Sequence, residues 1–176
     1  MTTLVLTVIG EDRSGLVSAL AQAVADGGGN WERSHLAELG GKFAGIVQVS
    51  VPADRAQALA ADLRPLAGLL DIAVHEAHEA APRPATDART VTVELLGNDA
   101  PGIVRDVAAV VARHGVSIAE LVSSTREAPM AGGLLFEARL TADLPADADS
   151  EALRADLELL AGEMQVDISV GAPGAI

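Results

Sequence analysis

The sequence predicts an α+β protein built from two tandem ferredoxin-like βαββαβ domains, each with an antiparallel sheet and helices on one of its faces. Three observations lead to this prediction. The two halves of the chain resemble each other at a constant spacing, each half shows the same order of strand and helix patterns, and a segment rich in proline and charge separates them.

The internal repeat emerges when the sequence is shifted by 87 residues. Residues 3–30 then align with residues 90–117 without a gap and with nine identical positions. The matched glycines and aspartates are the strongest part of this evidence, because a chain that is 49 % hydrophobic also gives aliphatic matches by chance. The later matches pair Val47, Val49 and Val51 with Phe136, Ala138 and Leu140, and Leu59, Asp62 and Leu63 with Leu153, Asp156 and Leu157.

The first copy is predicted to contain four strands and two helices. Strands are expected over residues 3–9, 30–39, 42–51 and 71–75, and helices over residues 16–26 and 55–66. Gly27–Gly29 ends the first helix, because glycine readily takes the left-handed conformation that follows a helix. Gly40-Gly41 predicts a tight hairpin between the second and third strands.

The second copy shows the same order of elements. Strands are expected over residues 90–96, 117–126, 134–141 and 165–170, and helices over residues 102–114 and 151–161. Pro101 is expected near the first helical position, where its missing N–H has no partner to lose. This copy is longer than the first in two loops, residues 127–133 and 141–150.

A linker is predicted between the two copies. Residues 79–89 read EAAPRPATDAR, and two prolines with mixed charge are typical of a semi-rigid spacer. We therefore assign residues 1–80 to the first domain, residues 81–87 to the linker and residues 88–176 to the second domain.

Composition and charge argue against several classes of partner. The formal net charge is −13, from 12 Lys and Arg against 25 Asp and Glu, and aromatic residues make up 2 % of the chain. Nucleic acids require positive surface and, when single-stranded, stacking side chains, so we expect no direct nucleic-acid partner.

The chain has no cysteine, and its N-terminus has neither the basic start of a signal peptide nor the apolar length of a membrane span. We expect a soluble, cytoplasmic protein that does not bind membranes.

The loop between the first strand and the first helix carries the same motif in both copies. It reads GEDRSGLV over residues 10–17 and GNDAPGIV over residues 97–104, that is, G-x-D-x-x-G-L/I-V. A strand, this motif and a helix in succession resemble the ACT domain family. The D-R-x-G-L-V form of the first copy is similar to that of the glycine cleavage system transcriptional repressor family. The resemblance covers the whole chain and leaves no segment for a catalytic domain.

The chemistry of this loop suits an amino acid ligand. The N–H groups at a helix N-terminus are unsatisfied and attract a carboxylate. Glycine at positions 15 and 102 lets a ligand approach the backbone, and the carboxylate of Asp12 or Asp99 can bind an α-ammonium group. The alternative is structural, since Asp before a helix is often an N-cap and glycine allows close helix–sheet packing.

The resemblance assigns ligand binding to six positions in each copy. They are Gly10, Asp12, Arg13, Gly15, Leu16 and Asn30 in the first copy, and Gly97, Asp99, Pro101, Gly102, Ile103 and Ser117 in the second. Asn30 and Ser117 begin the second strand of each copy, which we expect to lie beside the loop. The copies differ at Ser14 and Pro101 and at Asn30 and Ser117, so one of the sites could be weaker or inactive.

Other candidate sites are less well supported. His75 and His78 lie where a strand runs into the linker, and this placement does not hold both rings on one helix face as a zinc motif requires. We therefore expect no metal and no other cofactor. Trp31 and His35 are expected on one face of the second strand unless a bulge intervenes, with packing as the main role of Trp31. No serine, histidine and acid follow a recognisable catalytic order, so no catalytic residue is predicted.

Two functional hypotheses follow from these observations. The first is a non-catalytic regulatory protein that binds a small amino acid, glycine or serine by resemblance. It would control a protein partner such as a transcription factor or a metabolic enzyme, and a homodimer is expected from the resemblance and the sheet edges. The second is a ligand-free scaffold that dimerises or recruits partners through its edge strands. An enzyme is the least favoured hypothesis, because nothing in the sequence requires catalysis.

Overall fold

The chain divides into two units, Met1–Pro82 and Arg83–Ile176. The computed structural model describes residues 1–77, 89–128 and 132–171, without the side chains of residues 65 and 67. The linker predicted over residues 81–87 lies outside the described residues, so the domain bounds at residues 80 and 88 stay predictions.

Unit 1 has the element order β-α-β-β-α-β. Its elements are β1 (Thr2–Glu11), α1 (Leu16–Asp26), β2 (Asn30–Leu39), β3 (Lys42–Val51), α2 (Ala56–Asp62) and β4 (Asp71–Glu76). Short 3₁₀ turns, Ala53–Arg55 and Arg64–Gly68, flank α2. The strands form one antiparallel sheet in the order β2-β3-β1-β4.

Unit 2 repeats this topology. Its elements are β5 (Arg89–Asn98), α3 (Ile103–Arg113), β6 (Ser117–Glu127), β7 (Leu134–Leu144), α4 (Ser150–Met164) and β8 (Val166–Gly171). The antiparallel sheet has the order β6-β7-β5-β8. The predicted fold class, two tandem ferredoxin-like units, is confirmed.

The helices of each unit cover one face of its sheet. Side chains alternate along β1, so that Leu4, Leu6 and Val8 are buried while the residues between them point to the other face. Leu20 and Val24, on the buried side of α1, complete the same core. The apolar side of α1 packs on the apolar face of β1, as the helical and alternating spacings of apolar residues in the sequence predict.

The second helix of each unit contributes matching core positions. Leu59 and Leu63 in unit 1 and Leu153 and Leu157 in unit 2 are all buried, in agreement with the predicted match between the copies. Both cores are built mainly from aliphatic side chains.

Most predicted element boundaries agree with the structure, but α2 is shorter than predicted. Gly40 and Gly41 have φ angles of 61° and 79°, as the tight hairpin between β2 and β3 requires. The helix predicted over residues 55–66 ends at Asp62 and gives way to a 3₁₀ turn. The proline at position 65 has no N–H to donate and disfavours helical backbone at the residue before it, which explains the early end.

The predicted alignment of β3 with β7 was wrong. Val47 pairs with Leu6 in unit 1, and Leu140 pairs with Val93 in unit 2. Since Leu6 and Val93 match in the repeat, Val47 corresponds to Leu140 rather than to Phe136. A strand with apolar residues at every second position aligns equally well after a shift by an even number of residues. The extra residues of the second copy therefore lie mainly in the hairpin between β6 and β7.

Gly10 and Gly97 stand where a neighbouring segment comes very close to the inner strand. A Cβ atom on Gly97 would lie 2.4 Å from Cγ1 and 2.9 Å from Cα of Val166, its partner in β8. A Cβ atom on Gly10 would lie 2.4 Å from the carbonyl oxygen of Leu69. Carbon atoms do not approach neighbours this closely, so packing alone requires glycine at both positions.

We expect Gly97→Ala to destabilise unit 2 by about 1–3 kcal/mol, because the added methyl group forces the backbone of β8 to move. Gly162→Ala is the matched control. Gly162 lies in α4, and no heavy atom outside its own helix backbone lies within 4 Å of its Cβ position. Alanine there should raise stability by about 0.5–1 kcal/mol. Urea unfolding followed by circular dichroism compares both variants with the natural protein, and unchanged stability of Gly97→Ala would contradict the packing role.

Candidate ligand-binding site

Both motif loops connect an inner strand to a helix. Residues 12–15 join β1 to α1, and residues 99–102 join β5 to α3. β1 lies between β3 and β4, and β5 lies between β7 and β8. Each loop therefore has sheet neighbours on both sides, which fix its position.

Each of the two helices begins after a glycine in the left-handed conformation. Gly15 has a φ of 93° and Gly102 a φ of 101°, and both occupy the N-cap position without a side-chain hydrogen bond to the helix. The alternative role of Asp12 and Asp99 as N-caps was therefore wrong, and Ser14 does not cap α1 either. The first N–H groups of both helices are left without a capping side chain.

The backbone of the two aspartates is held by the neighbouring strand or hairpin. The Asp12 N–H donates to the Gly41 carbonyl at 2.9 Å, and the Asp99 N–H donates to the Leu134 carbonyl at 2.8 Å. Both aspartates are exposed, and within the described ranges neither carboxylate makes a hydrogen bond or an ion pair. Two fixed loops thus each present an accessible negative charge.

Two charged side chains support the first loop from either side. Arg13 Nη2 donates to the Gly68 carbonyl oxygen at 3.1 Å and ties the loop to the turn before β4. On the other side, Lys42 pairs with Glu11, its partner in the sheet register. Ala100 takes the position of Arg13 in unit 2, so the second loop lacks this attachment.

Four of the predicted site residues are explained by packing. Leu16 and Ile103 are 3 % and 2 % exposed, so their side chains belong to the two cores and only their backbone can face a ligand. Gly10 and Gly97 are required by the close approaches described above. These residues shape the loops rather than line them.

Pro101 does not occupy the first helical position. α3 begins at Ile103 after the N-cap Gly102, so Pro101 precedes the helix by two residues. The predicted placement was wrong because a left-handed glycine, rather than proline, begins the helix. Pro101 instead restricts the backbone of the loop at the position of Ser14.

Asn30 and Ser117 lie at the opposite end of the sheet from the loop of their own unit. Asn30 pairs with Ser50, which pairs with Thr3 near the start of β1, whereas Gly10 stands near its end. At about 3.3 Å per residue, the strand between Thr3 and Gly10 spans roughly 23 Å. The predicted placement beside the loop was wrong, because α1 carries the chain back along the sheet before β2 begins. Ser117 occupies the equivalent place in unit 2.

A β-bulge separates Trp31 from His35. The register of β2 shifts between Trp31 and Arg33. Trp31 consequently packs against the core of unit 1, as expected, while His35 is exposed. The two side chains therefore do not share a face of the strand.

Two further candidate features concern the described part of the chain, a metal site and a membrane-spanning helix. His78 of the possible metal pair lies outside it. Within residues 1–77, 89–128 and 132–171, no group of three or more His, Cys, Asp or Glu residues is placed to hold a metal ion. None of the helices described there is long and apolar enough to cross a membrane.

An ion pair that the sequence interpretation missed lies at the second loop. Arg105 Nε and Nη2 donate to Asp106 Oδ1 and Oδ2 at 2.7 and 3.1 Å. The hydrogen bond from Arg105 lowers the pKa of Asp106, and the same bond raises the pKa of Arg105, so both groups stay charged at neutral pH. The repeat places Ser18 and Ala19 at these positions in unit 1. That difference between the copies was the available signal.

Similarity to known proteins was found over nearly the whole chain. The family model described as ACT domain matches residues 2–76 and residues 89–171. The glycine cleavage system transcriptional repressors of Escherichia coli (strain K12) and Shigella flexneri are each 32 % identical over 169 residues, covering 95 % of this chain and 88 % of the repressor. The crystal structure of an unknown protein from Galdieria sulphuraria matches with a TM-score of 0.86 and 32 % identity, covering 97 % of this chain and 98 % of that chain.

These similarities agree with the description of the two units. Each match to the family model spans one described unit, from its first strand to its last. The bacterial relatives are named for regulation rather than for a catalysed reaction, in agreement with the prediction of a regulatory, non-catalytic protein. The chain therefore belongs to the ACT domain family, as a tandem pair of ACT domains.

Proposed function

We propose that this protein binds a small amino acid at its strand-to-helix loops and thereby controls a protein partner, as a non-catalytic regulator of amino-acid metabolism. The proposed ligand class is glycine or serine, and the proposed partner is a transcription factor or a metabolic enzyme. Support comes from the bacterial relatives, which are named glycine cleavage system transcriptional repressors. We place this activity in the cytoplasm.

The pairing of opposite charges in the first loop carries this proposal. α1 begins after Gly15 without a capping side chain, and apart from Gly15 and its two chain neighbours no residue has a heavy atom within 4 Å of the Cβ position of Gly15. A helix N-terminus offers N–H groups and about half a positive charge to a carboxylate. In the same loop, the exposed carboxylate of Asp12 offers a negative charge to an α-ammonium group. A zwitterionic amino acid carries both complementary groups.

Within this proposal the loop residues divide into two roles. Asp12, Gly15 and the first N–H groups of α1 contact the ligand, whereas Arg13 positions the loop through its bond to Gly68. Asp99 and the N-terminus of α3 form the corresponding candidate site in unit 2. Asn30 and Ser117 have no part in the loop site of their own unit, because they lie at the far end of its sheet.

Ligand binding becomes a signal when the ligand binds one conformation more tightly than another. We propose that two copies of the chain form a homodimer and that the occupied loop changes the surface offered to the partner. The net charge of −13 disfavours a direct contact with DNA. Control is therefore proposed to pass through protein contact.

Isothermal titration calorimetry with glycine and L-serine tests the proposal, with the other amino acids as a specificity screen. Asp12→Asn should weaken binding by roughly tenfold or more, because a hydrogen bond to a charged group contributes about 1.5–3 kcal/mol. Asp26→Asn, at the opposite end of α1, is the control and should bind like the natural protein. If no amino acid gives heat at millimolar concentration, the proposed function is wrong. If Asp12→Asn binds normally, the role of Asp12 is wrong.

A second candidate function, a ligand-free scaffold, is favoured by the edge strand of unit 2. β6 is at the edge of its sheet and leaves Leu121 and Val122 exposed to 39 % and 60 %. It contains neither proline nor lysine, two residues with which natural edge strands prevent pairing. As a scaffold, the chain would dimerise or recruit a partner by adding a strand here.

Analytical ultracentrifugation distinguishes the scaffold from the sensor. The scaffold predicts a dimer whose dissociation constant is the same with and without glycine or serine. Val122→Lys should weaken that dimer, because a charged side chain on an edge opposes strand pairing. Val104→Lys is the control, since Val104 is an exposed valine on α3 of the same unit. A chain that stays monomeric at all concentrations rules out the dimerising form of the scaffold.

A further inference from the structure

The two motif loops differ in how open their left-handed glycine is. Gly15 is exposed, and no residue other than its two chain neighbours has a heavy atom within 4 Å of the position of its missing Cβ. At Gly102 the same position lies 2.9 Å from Nη2 and 3.3 Å from Cζ of Arg105, and 3.5 Å from Oδ2 of Asp106. Arg105 and Asp106 therefore fill the space beside the second loop that is empty beside the first.

Two hydrogen bonds join the two side chains beside the second loop. Arg105 makes two parallel hydrogen bonds to Asp106, the bidentate arrangement in which a guanidinium and a carboxylate bind most strongly. The Asp106 N–H donates to the Gly102 carbonyl at 3.0 Å, which holds the residue in the first turn of α3. Unit 1 has Ser18 and Ala19 at these positions, and the first turn of α1 contains no acidic residue.

The pair has no net charge, but it places a carboxylate in the first turn of the helix. Asp106 supplies a negative charge to the first turn of α3, where a helix stabilises an anion. The carboxylate of an incoming amino acid would meet this like charge, and two of the guanidinium N–H groups that could attract it already bind Asp106. The first loop presents its helix end without such a competitor.

We infer that the Arg105–Asp106 ion pair shields the loop of unit 2 from the ligand, so that the natural protein has one strong amino-acid site per chain, in unit 1. This inference rests on the proposed function and adds which of the two loops works. Repulsion between Asp106 and the ligand carboxylate reduces the affinity of unit 2 for the ligand by up to about fivefold. Breaking the exposed Arg105–Asp106 pair to admit the ligand reduces it by up to about fivefold again. Unit 2 is therefore expected to bind roughly tenfold more weakly than unit 1.

The test exchanges the two residues between the units. Arg105→Ser with Asp106→Ala gives unit 2 the residues of unit 1, and Ser18→Arg with Ala19→Asp does the reverse. Calorimetry with glycine and with L-serine counts the strong sites per chain. Trp31 is the sole tryptophan of a chain without tyrosine, so its fluorescence follows the unfolding of unit 1, whose midpoint rises when that unit binds a ligand.

The natural protein is expected to bind one strong equivalent and to show the shift in the Trp31-monitored midpoint. The double variant Arg105→Ser with Asp106→Ala should bind a second equivalent of ligand strongly and keep that shift. The double variant Ser18→Arg with Ala19→Asp should lose the shift. Circular dichroism checks that both double variants fold. If the unit 2 double variant does not fold, Asp106→Asn replaces it, because this substitution removes the negative charge with little change in shape.

Several results would overturn the inference while leaving the proposed function intact. They are two equal sites in the natural protein, a single site that leaves the Trp31 midpoint unchanged, and no gain of a second site in the unit 2 variant. If Arg105→Ser alone weakens ligand binding at the loop of unit 2, Arg105 attracts the ligand, and the inference is also overturned. If neither the natural protein nor any variant binds an amino acid, the proposed function fails and the inference fails with it.

Discussion

Each unit depends on the left-handed glycine that begins its first helix. At Gly15 and Gly102 the chain leaves an inner strand and turns at once into the helix that covers the sheet. Residues with a β-branched side chain do not adopt this conformation without strain. Because glycine also has no capping group, the same backbone geometry that builds the core leaves the helix N–H groups without a partner. The fold and the candidate site therefore share one conformational requirement.

Much of the fold could be predicted because its signals are local in the sequence. Alternating apolar residues gave β1, helical spacing gave α1, and Gly40-Gly41 placed the first hairpin. The errors arose where local signals compete or are degenerate. The end of α2 depends on a single proline inside an otherwise helical pattern. The register of β7 could not be predicted because an even shift preserves the alternation on which the alignment relied.

The candidate site was predictable only as far as it is continuous in sequence. The loop residues around Asp12 and Asp99 form one segment, whereas the position of Asn30 depends on which end of the sheet the chain reaches after α1. The Arg105–Asp106 pair was missed for another reason. Charged residues in the first turn of a helix are common and usually solvated, so the difference from Ser18 and Ala19 in the repeat did not show that the pair lies against Gly102.

The hairpins between the second and third strands show where the two copies have diverged in length. Gly40-Gly41 closes the hairpin in unit 1, whereas residues 128–133 separate β6 from β7 in unit 2. Both sheets nevertheless keep the same strand order and the same pairing of their inner strands. The entropic cost of closing a loop rises only slowly with the length of the loop. Insertions at this chain reversal therefore cost little folding free energy, and a recognition segment can be added there without rebuilding the domain.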